Sequence, residues 1–203
     1  ATGARRCGVA RIAAGRNRPH SPRHDGRARE GGGGGGGRRA AAALLRRRDG
    51  GDHGRNPQYL IDEQVKGAVL VKSLKMEAFP TAYLLVESGK TTAVEFISNT
   101  RPLPADKLAI AAAHAMAAEL LGLRWVYLEA GSGAQNPVPA DMVRMVRAST
   151  PLKLIVGGGI RQPSEARDRV LAGADAIVIG NLFEKENDPA RFREFADAVH
   201  RGV

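Results

Sequence analysis

The chain has 203 residues, 43% of them apolar and 26% charged, enough for one domain with a real core. Its net charge is +10, but the whole excess falls in residues 1–55, which hold 14 Arg, no Lys and four acids, so the body of the protein is neutral and excludes a basic nucleic-acid-binding surface. A single cysteine, Cys7, excludes an internal disulfide framework and a thiolate metal cluster and fits a cytoplasmic location; no apolar run approaches the ~18 residues that a membrane-spanning helix needs.

Residues 1–55 are of low complexity: Arg, Gly and Ala make up 38 of them, and Gly31 to Gly37 is unbroken. Too few apolar side chains are present to offset the entropy of ordering such a segment, which reads as a disordered tail. It lacks the apolar stretch of a secretory signal. Its glycine tract, without an amphipathic period, argues against a transit peptide. As an Arg/Gly arm for RNA it lacks the aromatics that stack on bases. GC-rich DNA read in a wrong frame also encodes this mixture, and the abrupt change of texture at Asn56 motivates that reading. The boundary divides the chain into 1–55 and 56–203.

Asn56-Pro57 reads as a helix start, with Asn as N-cap and Pro at the first helical position. An apolar stripe through Leu60, Ile61, Val65, Ala68, Val69 and Val71 continues it to Lys72–Lys75. Ala78 to Glu87 predicts a buried strand, and the β-rich Thr91 to Ser98 an extension or a partner of it. Pro104-Ala105-Asp106 opens an alanine-rich helix that Gly122 stops. Trp125 to Glu129 is the next strand, Pro139 to Val146 a helix, Leu152 to Val156 a strand. Pro163 starts a helix that Gly173 caps, Ala176 to Ile179 is the last strand, and Asp188-Pro189 caps a final helix with Phe192, Phe195, Ala196 and Val199 at i, i+3, i+4 and i+7.

Strict alternation with short, β-branched strands means parallel βα units. A doubly wound sheet and a (β/α)₈ barrel both fit. Glycines after the last two strands favour the barrel, whose seventh and eighth βα loops commonly build a phosphate site. On that reading the chain shows strands five to eight. The loops Gly131-Ser132-Gly133, Gly157-Gly158-Gly159 and Gly180-Asn181 would then converge. They offer N–H donors without a Cβ in the way, suited to a phosphate dianion. Glu129 ends its strand beside them and is suited to take a proton from a hydroxyl or to hold one. Tyr83 reads as a core or rim residue.

Five strings resemble the geranylgeranylglyceryl phosphate synthase family over about residues 55–203. They are Asn56-Pro57-Gln58-Tyr59-Leu60-Ile61, Pro80-Thr81-Ala82-Tyr83, Tyr127-Leu128-Glu129-Ala130-Gly131-Ser132-Gly133-Ala134, Val156-Gly157-Gly158-Gly159-Ile160-Arg161, and Gly173-Ala174-Asp175 with Gly180-Asn181. The resemblance implies a (β/α)₈ barrel and a prenyltransferase that joins geranylgeranyl diphosphate to sn-glycerol 1-phosphate, the first ether-bond step of archaeal membrane lipids. By that resemblance Glu129 and Tyr127 are catalytic. Tyr127, Leu128, Glu129, Ala130, Gly131, Ser132, Gly133, Gly158, Gly159, Gly180 and Asn181 hold glycerol phosphate, and Tyr83 lines the prenyl site. It also implies Mg²⁺ on the diphosphate; a homo-oligomer, and peripheral membrane contact through the lipid product, are compatible with it, and the oligomeric state is left open. The family's magnesium carboxylate belongs to an Asp-Pro-Asp-Lys-like motif after strand one, and a Gly-Gly-Ser motif follows strand two. Neither occurs in residues 1–55, so no residue is assigned to the metal. The alternatives are the heptaprenylglyceryl phosphate synthase branch, another phosphate-binding barrel enzyme, and a non-catalytic nucleic-acid binder acting through the Arg/Gly arm.

Overall fold

The computed structural model describes residues 8–11, 63–185 and 188–200. Five strands form one parallel sheet in the order β1-β5-β4-β3-β2: β1 is Gly8–Arg11, β2 Thr81–Leu85, β3 Trp125–Glu129, β4 Lys153–Gly157 and β5 Ala176–Ile179. Helices α1 (Glu63–Ser73), α2 (Ala93–Ser98), α3 (Leu108–Leu120), α4 (Ala140–Ser149), α5 (Pro163–Leu171), α6 (Asn181–Lys185) and α7 (Pro189–His200) alternate with them. β2 to β5, with their helices, are the four βα units expected from the sequence. β1, paired in parallel along β5, lies inside the segment read as low-complexity and was not foreseen. The start of the first helix at Asn56-Pro57 lies outside the described residues.

The strands explain the layering. Ala82, Leu84, Val126, Leu128, Leu154, Val156, Ile177 and Ile179 alternate along them and are 0–3% exposed. These side chains face the helices. They pack with Ala111, Ala115 and Ala118 of α3, Met142, Val143 and Val146 of α4, Ala166 and Val170 of α5, and Phe195 and Val199 of α7. The other face carries Tyr83, Tyr127 and Val178, which are half-buried, together with the buried Leu85, Glu129 and Ile155. In the paired register Tyr83, Tyr127 and Ile155 form one row and Leu85, Glu129 and Gly157 the row above it, at the C-terminal ends.

Two local expectations are corrected. Thr91 to Ser98 is not β structure: Ala93–Ser98 is a helix. Glu95 reaches back over the start of this helix, with the Thr92 N–H donating to Glu95 Oε2 at 3.3 Å, and this local contact overrides the β-branched content. The bridge beside Val86 goes to Leu103 instead. Asn181, read as loop, begins the short α6. At the end of the chain Asp188 Oδ1 accepts from the Ala190 N–H at 2.9 Å, the cap read from Asp188-Pro189.

Gly173-Ala174-Asp175 is structural. Asp175 accepts from Arg147 Nη1 (3.0 Å), Lys153 Nζ (3.1 Å) and the Leu154 N–H (2.9 Å), tying α4 to the sheet at the end away from Glu129. Its side chain is 11% exposed and that of Arg147 19%. Removing one partner of such a pair strands the other. Asp175→Ala is expected to cost about 3 kcal/mol, read in urea denaturation, with Asp175→Asn losing less because it still accepts from Leu154.

Candidate functional site

The acid that ends β3 is buried, with Glu129 8% exposed. Its Oε1 accepts from the Gly131 N–H at 2.7 Å, and the Tyr127 hydroxyl donates to its carboxylate. Burial raises the Glu129 carboxyl above the ordinary carboxylate range; the bonds from Tyr127 and Gly131 pull the other way. The Tyr127 hydroxyl is pushed well above its usual value, by burial first and then by the charge of Glu129. It therefore stays protonated and donates. Tyr83 stacks edge-on against Tyr127, ring centres 5.2 Å apart. This half-buried aromatic pair lies on the same face as the acid, one row below it.

The row leaves space for Glu129 because its β4 neighbour has no side chain. A Cβ on Gly157 would come within 2.5 Å of the Tyr127 hydroxyl and 3.0 Å of Glu129 Oε2. Gly157 reads in the sequence as part of a turn, and the structure makes it a packing partner of both catalytic candidates. The triple glycine was the signal that could have shown it.

Above the acid, two loops face each other. The position of a Cβ on Gly158 lies 2.7 Å from the Gly131 nitrogen, and that on Gly133 lies 3.4 Å from Asn181 Nδ2. The three loops singled out from sequence thus meet at one end of the sheet. The N–H of Ala130 goes to Gly157 O and that of Gly131 to Glu129. Among the described residues nothing accepts from the N–H groups of Ser132, Gly133, Gly158 and Gly159. Those four groups are unpaired donors on two adjacent loops, suited to an oxyanion. Leu128 sends its side chain into the core and Ala130 is buried, so neither offers a side chain to a ligand. Gly180 is uncrowded, and Asn181 brings its amide to Gly133. Sequence reasoning missed Thr92. It is 5% exposed, packs directly against Gly131, and its Oγ1 is the one buried side-chain nitrogen or oxygen without a hydrogen bond among the described residues.

The described residues contain no group of three or more His, Cys, Asp and Glu able to hold a metal ion. Glu129 is already engaged by Gly131 and Tyr127. These residues do not fit a Mg²⁺ site. None of the described helices is long and apolar enough to cross a membrane.

Tyr127→Phe removes one of the two bonds that favour the charged form of Glu129. The Glu129 carboxyl should then titrate at higher pH than in the wild type, visible as a shift of its ¹³C carboxyl resonance. An unchanged titration would mean that the hydroxyl does not hold the carboxylate.

The model of the PcrB family matches residues 53–199. The geranylgeranylglyceryl phosphate synthase of Korarchaeum cryptofilum is 48% identical over 145 residues, 71% of this chain and 59% of that protein. The synthase of the same name from Thermococcus kodakarensis is 45% identical over 151 residues, with 74% and 59% covered. Among solved structures, (S)-3-O-geranylgeranylglyceryl phosphate synthase from Thermoplasma acidophilum, in complex with its substrate sn-glycerol-1-phosphate, superposes with a TM-score of 0.67 at 35% identity over 71% of this chain and 58% of that one. The enzyme of Thermoplasma volcanium gives 0.67 at 32% identity, covering 72% and 59%. The chain spans about three fifths of the length of the relatives it matches.

Proposed function

The chain belongs to the PcrB family, and on that premise we propose that its rim of glycine loops is the acceptor site of a cytoplasmic prenyltransferase. The acceptor is sn-glycerol 1-phosphate and the donor geranylgeranyl diphosphate. The observation that carries this reading is the buried Glu129 set beside four open N–H donors on two facing loops. The phosphate occupies the donors of Ser132, Gly133, Gly158 and Gly159, with the Asn181 amide at their edge. The free primary hydroxyl of the glycerol then reaches Glu129.

Glu129 takes the hydroxyl proton as the oxygen bonds to the allylic carbon and diphosphate leaves. A carboxylate whose proton affinity is raised by burial is a better base than an exposed one. Tyr127 holds that carboxylate in place through its hydroxyl, and the Tyr83–Tyr127 pair offers an apolar, electron-rich wall to the prenyl chain. The two relatives above bear the geranylgeranyl name, which favours the twenty-carbon donor over the heptaprenyl one. Nothing at the site favours the nucleic-acid reading. The product's prenyl tail would bring the protein to a membrane surface.

Calorimetric titration tests the acceptor directly. Binding of sn-glycerol 1-phosphate tighter than inorganic phosphate is expected, since glycerol adds the contact to Glu129. Equal affinity for the two would remove the acceptor assignment. Transfer of label from geranylgeranyl diphosphate to sn-glycerol 1-phosphate, with Mg²⁺ present, tests the reaction.

A further inference from the structure

Arg161 follows the triple glycine and has no place in the proposed chemistry. Its exposed guanidinium donates to three carbonyl groups: Nη2 to Ala134 O (2.5 Å), Nη1 to Gln135 O (2.9 Å) and, at greater length, to Gly159 O (3.4 Å). Ala134 closes the turn of the first anion loop, its N–H donating to Gly131 O at 3.1 Å. Between Gly131 and Ala134 lie the open N–H groups of Ser132 and Gly133. Gly159 carries an open N–H of the second loop. One side chain therefore bridges the two loops whose donors face the anion.

The bridge continues in both directions. The Gln135 carbonyl and the Asn136 N–H belong to one planar trans peptide and point opposite ways. The Asn136 N–H donates to Ser88 O at 3.0 Å, joining the loop after β2. On the other side Arg191 of α7 donates to Arg161 O (3.2 Å) and Gln162 Oε1 (3.0 Å). The Arg161 and Gln162 N–H groups both go to Glu165 Oε2, at 2.7 and 2.9 Å. The resulting belt runs from the loop after β2, across those after β3 and β4, to the last helix.

We propose that Arg161 is a positioning residue for anion binding, setting the spacing between the Ser132-Gly133 and Gly158-Gly159 donors. The inference rests on the anion-pocket reading above. A planar fork can donate to several carbonyls at once, which the point charge of a lysine cannot reproduce.

The test titrates the full chain and its Arg161→Ala and Arg161→Lys variants with inorganic phosphate and with sn-glycerol 1-phosphate, and measures Tm of each. Arg161→Ala is expected to weaken both ligands at least about tenfold, with little change in Tm because the side chain is exposed. Arg161→Lys should fall between, and added methylguanidinium should restore phosphate binding to Arg161→Ala. Wild-type affinity in Arg161→Ala overturns the proposal. So does a loss that follows a lowered Tm and is not restored by methylguanidinium, because that is a role in folding alone. If phosphate binding depends on Arg161 but the wild type does not prefer sn-glycerol 1-phosphate, the acceptor assignment fails and the positioning role stands.

Discussion

On the proposed chemistry, Glu129→Gln should cut prenyl transfer by orders of magnitude while leaving the protein at least as stable as the wild type at neutral pH. The two effects have one cause. The substituted amide retains an oxygen for the Gly131 N–H, which Glu129 Oε1 accepts at 2.7 Å, and fits the same space beside Gly157 and Gly158. It loses the capacity to accept the hydroxyl proton. General-base assistance contributes about 10²- to 10⁴-fold, and a loss in that range is expected.

The stability follows from proton linkage. Burial raises the folded-state value of Glu129 above that of the unfolded chain. Between the ordinary carboxylate range and the raised value, the folded protein holds a proton that the unfolded chain has lost. Stability therefore falls as pH rises through that window and is lower above it than below. Glu129→Gln deletes this term, so Tm plotted against pH should be flatter across the window, and the neutral-pH Tm should not fall. If Glu129 is the base proposed above, transfer should run the opposite way, failing as pH drops through the raised value, where Glu129 becomes protonated. A variant that melts well below the wild type at neutral pH would show that the charge itself stabilises the rim.

The parts of this arrangement that could be read in the sequence are those encoded by local pattern. β3, β4 and β5 announce themselves because buried parallel strands are short apolar runs, and the glycines after them mark where the chain turns. Glu129 stands out as an acid closing such a run. The register is not local. Gly157 lies beside Glu129 only because β3 and β4 pair Glu129 with Gly157, and no spacing within either strand states that. Thr91 to Ser98 misled for a related reason: its β-branched residues suit a strand, but the Thr92–Glu95 pairing settles the backbone first. Arg161 was visible as a residue but not as a bridge, since its partners lie 26 and 27 positions away in sequence. The strand β1 is only four residues long and sits in an Arg-rich stretch, and its place is set by pairing with β5.

Gly158→Ala is expected to remove anion binding and to destabilise the fold by roughly 2–5 kcal/mol, combining left-handed backbone strain with overpacking. Gly158 has φ +82°, where an L side chain is strained. Its Cβ would also fall 2.5 Å from Glu129 Oε1, 2.7 Å from the Gly131 nitrogen and 2.8 Å from the Ala130 nitrogen. Two of these atoms are backbone and the third belongs to a buried carboxylate, so the methyl group has no flexible neighbour to displace. Relief requires the loops after β3 and β4 to separate, which pulls the Ser132 and Gly133 donors away from those of Gly158 and Gly159. Gly122 provides the control. It has nearly the same φ, +79°, but nothing lies within 4 Å of its Cβ position. Gly122→Ala therefore meets the backbone strain alone, about 1 kcal/mol, and should bind phosphate as the wild type does. The difference between the two variants in denaturant midpoint isolates the crowding at the site, and their difference in phosphate affinity isolates its consequence. If Gly158→Ala binds phosphate normally and melts with Gly122→Ala, the two loops do not need their close approach, and the anion is held elsewhere.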